Sequence, residues 1–163
     1  MSDLKALREV EGIRVKRVAD AEDAQRAAAQ AVVRAEQMLA EARLALQDYQ
    51  ERLPGLIEQL FADCIGHLVS REFVQDKIHE ESRLRAKVED YKAKVTEAQN
   101  ALQQARDRLE QATARLAQER LKLDALRELL KLERRKVQIG LARAEARALD
   151  DLAGAKYVRA MVH

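Results

Sequence analysis

Two stripes of apolar residues, stepping by three, four or seven apart from one step of eleven between Leu7 and Val18, run along most of this chain and fix what it can fold into. The first is Leu4, Leu7, Val18, Ala21, Ala28, Val32, Ala35, Leu39, Ala42, Leu46, Tyr49, Leu53, Leu56 and Leu60. The second is Leu84, Val88, Tyr91, Val95, Ala98, Leu102, Ala105, Leu109, Ala112, Leu116, Leu123, Leu126 and Leu130. A three-four alternation keeps every member on one narrow side of a helix, the seam of a left-handed coiled coil. One chain with two such seams around a short break closes on itself. The expected fold is therefore all-α, a long two-helix antiparallel coiled-coil hairpin forming a single domain over 1–163.

Composition agrees with long, thinly packed helices. Charged residues make up 36% of the chain and aromatics 3%, with one proline, five glycines and no tryptophan. Burial must come from a narrow seam repeated over distance, because so few large side chains cannot fill a thick core. The sustained period argues against disorder, which so charged a chain otherwise suggests.

Helix one is expected over about 2–64, with Ser2 as N-cap and Asp3 in the first turn. Pro54-Gly55 is the obvious breaking point, yet the seam stays in phase through Tyr49, Leu53, Leu56 and Leu60, so a kink near 54 is expected there. The turn fits better at about 65–70: Gly66 suits the left-handed residue after a helix, and Ser70 suits the next cap. Helix two then covers about 71–160. Glu22 with Arg26, Asp48 with Arg52 and Asp90 with Lys94 are spaced as pairs on solvated faces.

The register follows from side-chain size. If paired residue numbers add to about 137, Ala21 meets Leu116, Ala28 meets Leu109, Val32 meets Ala105, Ala35 meets Leu102, Leu39 meets Ala98 and Ala42 meets Val95. Each layer sets a small residue against a larger one, which fills a close-packed seam without voids. A slip of one heptad keeps most of this matching but sets Glu11 against Glu119. In the first register residue 1 lies level with about residue 136, so about 27 residues project as a C-terminal helical tail of about 40 Å at about 1.5 Å per residue. That tail keeps an apolar side, with Val137, Leu141, Ala144, Ala148, Leu149 and Leu152. A lone amphipathic helix is marginal, so the tail is the expected partner-binding element. Its candidate contact residues are Arg143, Arg147, Leu149, Leu152, Lys156, Tyr157 and Arg159.

Charge divides unevenly. The stretch from Asp48 to Asp90 is net acidic, while Lys131, Arg134, Arg135, Lys136, Arg143, Arg147, Lys156 and Arg159 make the other end basic. Such an end is either a solvated face beside the seam or a dock for an acidic partner. The net charge of +2 and the absence of aromatic stacking platforms speak against nucleic acid. The sequence holds no apolar run able to insert in a bilayer and no signal-peptide pattern, so a cytoplasmic protein is expected.

Nothing in the sequence is organised for catalysis. The five glycines are isolated and none opens a phosphate loop. His79-Glu80-Glu81-Ser82-Arg83 begins like a zinc-peptidase helix but lacks the second histidine. Cys64 and His67, three apart, are too few ligands for a metal. A lone thiol without a pocket-forming fold makes no nucleophile, so no enzyme, cofactor or metal is expected. Tyr49 and Tyr91 read as seam residues; Tyr157 lies in the tail, where an amphipathic ring suits a contact.

The pattern Leu4-x-x-Leu7…Ile13-Arg14-x-x-Arg17…Ala21-Glu22, the segment Tyr49-Gln50-Glu51-Arg52-Leu53-Pro54 leading to Ile57-Glu58-Gln59-Leu60, and the stretch Arg143 to Ala153 resemble the FliJ/YscO (SctO) stalk proteins of bacterial type III secretion systems. The resemblance covers nearly the whole chain. It implies a non-enzymatic two-helix hairpin standing in the hexameric secretion ATPase at the cytoplasmic face of the inner membrane. It also implies an export gate protein as partner, with export chaperones handled by some members. The alternatives are a holdase-like coiled coil that grips clients at exposed apolar ends, and a scaffolding coiled coil.

Overall fold

The computed structural model describes residues 2–162. Two helices carry almost all of it. Helix α1 spans Ser2–Phe61, a single 3₁₀ turn follows at Ala62–Cys64, and helix α2 spans Arg71–Val162. The expected first helix is thus α1 plus a tightened last turn, a common way for a helix to end. The side chain of Ser2, the expected cap, lies outside the described residues.

The turn is built as the sequence suggests. Gly66 has φ +76°, the left-handed region where a side chain would strain the backbone. Ser70 Oγ accepts the Phe73 N–H at 3.1 Å and so caps α2. Pro54 sits inside α1, which is helical on both sides of it. The proline removes the donor that the Gln50 carbonyl would use, and both residues are exposed.

Contacts divide the chain into two compact units: Ala24–Thr113, and the stretch up to Asp23 together with the stretch from Ala114 onward. In the first, α1 and α2 form an antiparallel hairpin around the turn. Gln25 Nε2 donates to Thr113 Oγ1 at 3.1 Å, Glu36 faces Arg106 at 3.9 Å, and the Tyr49 hydroxyl donates to the Leu84 carbonyl at 2.6 Å. Its core holds Ala35, Leu39, Leu102 and Ala105, with Val32, Val95 and Ala98 packed against them. Ala35 and Leu102 therefore share a layer region, as the size-matched register requires. Nearer the turn, the Tyr49 and Tyr91 rings stack at 4.8 Å, and Lys94 lies over Tyr91. Burial raises the Tyr49 pKa above its ordinary value; the neighbouring Tyr91 adds to the rise and Arg52 opposes it.

In the other unit the helices again run antiparallel. Arg14 faces Glu119 at 3.6 Å, and Glu22 reaches across to Arg120 at 3.4 Å. Ala21, Leu116, Leu123 and Leu130 are buried, and Leu130 is the most enclosed at 2% exposure. Across both units no member of either apolar stripe is exposed. The last half-buried residue of α2 is Val137; the helix then continues unbroken, with every residue of 138–162 exposed. The tail is therefore not a separate element. It is the end of α2 running on without cover. Among the described residues, no helix is long and apolar enough to cross a membrane.

Candidate functional site

The uncovered end of α2 carries all seven candidate contact residues. At 100° per residue, Leu141, Ala144, Ala148, Leu152 and Ala155 fall within roughly 80° of one another and continue the side that Val137 presents. Leu152 and Arg159 lie on that stripe, with Leu149 and Lys156 at its edge. Arg147 lies at its other edge, and Arg143 and Tyr157 lie on the far side of the helix. The tail thus has an apolar side that includes Arg159 and is bordered by Lys156 and Arg147, and a far side carrying Arg143 and Tyr157. Leu141, Leu149, Leu152, Tyr157, Val158 and Met161 are each more than half exposed. Arg143, Arg147 and Lys156 have no charged partner among the described residues. Just before the tail, Lys131 pairs with Glu128 at 3.2 Å and Lys136 with Glu133 at 3.3 Å. Those two cations are matched locally, whereas Arg134 and Arg135 between them, like the tail cations, have no charged partner among the described residues.

A second exposed surface surrounds the turn. Ile65, Leu68 and Val69 are open to solvent, with Leu68 fully so. A groove of about 550 Å³ is lined by Leu56, Leu60 and Leu84, with Asp63 and, on α2, Lys77, Glu80, Arg83 and Lys87 as its charged residues. Cys64 is a free, half-buried thiol, and no group of three acidic, histidine or cysteine side chains among the described residues is placed to hold a metal. Both surfaces are suited to binding other chains.

The size argument passed over the polar residues that stand in the seam itself. Between Leu7 and Val18 the four-three-four step falls on Glu11 and Arg14, and between Leu116 and Leu123 it falls on Glu119. Glu119 is buried at 8% exposure; Glu11, Arg14 and Gln25 are half-buried. The signal was the unbroken phase across each apparent gap, which marks these positions as seam positions whatever residue fills them.

The fold is that of a paired-helix protein with a long uncovered helix end. The model of the family of type III secretion protein YscO matches residues 7–154. The chain belongs to that family and is a component of type III secretion. No curated protein and no solved structure matches it.

Proposed function

We propose that this chain is a non-enzymatic stalk of the secretion apparatus. Its α2 end docks in the hexameric secretion ATPase and couples that ring to the export gate protein, at the cytoplasmic face of the inner membrane. The observation that carries this reading is the helix beyond Val137: an apolar stripe in step with the seam, wholly exposed, with unmatched cations beside it. An uncovered helix of this kind gains order and burial only from a partner. The net acidic turn region, with Ile65, Leu68 and Val69, is left for a second partner, the gate or export chaperones.

The test is binding of the purified secretion ATPase to the full chain and to a version ending at Lys136, by co-sedimentation. The stalk reading expects the truncated chain to lose at least tenfold in affinity while keeping its helical signal per residue. Equal binding by both would remove the tail from the mechanism. The exposed apolar turn keeps a holdase reading in view. Suppression of aggregation of several unrelated unfolded clients, with no stoichiometric ring binding, would favour it.

A further inference from the structure

The hairpin within Ala24–Thr113 changes character at Tyr49. Away from the turn its seam holds Ala35, Leu39, Leu102 and Ala105, all buried. None of the described residues between Tyr49 and Leu102 is buried, and the seam leucines Leu53, Leu56, Leu60 and Leu84 are only half-buried. One cause lies in α2, whose seam turns polar there. In the register of the core, Leu53 stands level with Leu84, but Leu56 stands level with Glu81 and Leu60 with Lys77. Those two charged side chains are engaged along their own helix. Glu81 pairs with Arg85 at 2.9 Å, and the Lys77 ammonium lies over the Phe73 ring at 5.1 Å. Leu56, Leu60 and Leu84 are left lining a groove of about 550 Å³.

The other cause lies in α1. Pro54 leaves the Gln50 carbonyl without its helical donor, and Gly55 follows at once. A Cβ on Gly55 would meet nothing within 4 Å, so packing does not require a glycine there. Its effect is to loosen the helix. On the covered side of this weak point stands Tyr49, fastened in two ways. Its ring stacks on Tyr91 at 4.8 Å, and its hydroxyl donates to the Leu84 carbonyl at 2.6 Å.

We propose that the turn end opens as one unit while the rest of this hairpin stays closed. The unit comprises α1 from Pro54 onward, the turn, and α2 up to Leu84. Pro54-Gly55 is its hinge, and the Tyr49–Tyr91 stack marks where it stops. Segments with few buried apolar contacts open at lower free energy than the core, and a boundary falls where helical bonding and side-chain cover weaken together. Both weaken between Tyr49 and Leu56. Opening uncovers Leu56, Leu60 and Leu84 and leaves Ala35, Leu39, Leu102 and Ala105 packed. The motion belongs to the free chain, whatever the chain binds.

Native-state hydrogen exchange of the full chain, read by mass spectrometry on overlapping peptides, follows this opening without any partner. Amides of 55–61 and 75–84 should share one opening, with equal protection and equal dependence on urea. They should exchange roughly a hundredfold faster than amides of 32–49 and 91–109. The boundary on α1 should fall between Tyr49 and Pro54. Pro54→Ala with Gly55→Ala, both at exposed positions, should slow exchange of the turn end by roughly tenfold or more and leave the core amides unchanged. Protection that declines residue by residue towards the turn, as in simple fraying, overturns the unit. So does a double alanine variant that slows every amide equally, or that leaves the turn end as it was.

Discussion

Leu130 and Leu152 sit on the same side of the same helix, each in step with its neighbours, yet one is the most enclosed side chain in the molecule and the other is 60% exposed. What separates them is the length of α1. The first helix supplies a facing seam as far as Val137 and nothing beyond it. A periodic stripe therefore states which side of a helix is ready to be covered. Whether it is covered depends on the chain having a second element at that level. The tail keeps the stripe without the element, which is why it stands exposed and is not part of the core.

The sharpest way to break this comparison is to truncate the enclosed residue. Leu130→Ala removes a fully buried side chain and leaves a void that the thin seam closes only in part. A loss of about 2–3 kcal/mol in unfolding free energy is expected by urea denaturation followed at 222 nm. A loss under about 0.5 kcal/mol, the range of surface substitutions, would mean that Leu130 is no better covered than the tail.

A smaller effect is expected at Tyr49, whose hydroxyl ties α1 to the Leu84 carbonyl while its ring stacks on Tyr91. Tyr49→Phe keeps the ring and removes the bond, at a cost of about 1 kcal/mol. The same residue gives a pH signature. Its folded pKa is raised above the ordinary 10.0, chiefly by burial, so the folded state holds the proton more tightly than the unfolded chain. Its stabilising contribution is complete below pH 10 and is lost as pH rises through the raised value. The native chain should lose stability more steeply above pH 10 than Tyr49→Phe does. Parallel curves would show that the tyrosine titrates as freely as one in water.

How much of this was legible in the sequence depends on what each feature requires. Ala35, Leu39, Leu102 and Ala105 could be placed in one core because helical phase and side-chain volume are both written in residue type. Gly66 and Ser70 could be placed at the turn because each has a backbone role that few residues fill. Glu22 also reaches Arg120 across the pair, a contact that spacing along one helix does not announce, since a long side chain meets such a partner only once the second helix is present. Among the seam charges, Glu119 was legible through the clash with Glu11 that a heptad slip would bring, whereas Arg14 was not. Reading the stripes by hydropathy skips polar residues, so Arg14 looked like a gap although the phase ran straight through it. In the tail, the seven candidate residues were chosen by type, and helical geometry then divided them between two sides.

The smallest expected effect on stability is at Leu152, and it discriminates most finely between fold and function. Leu152→Ala exchanges one strong helix former for another on a side that nothing covers, so the unfolding free energy should change by less than about 0.5 kcal/mol. If the tail is a docking helix, the same change removes a central apolar anchor from the interface, and an anchor of that kind costs about 1–2 kcal/mol of binding, or roughly five- to thirtyfold in affinity for the ring. Arg143→Ala, on the opposite side, separates two ways of docking. A helix held along one side would be indifferent to it, whereas a helix enclosed all round, as inside a pore, would register both substitutions. Silence in binding at both positions would leave the exposed stripe of α2 without a partner in the ring and return attention to the turn.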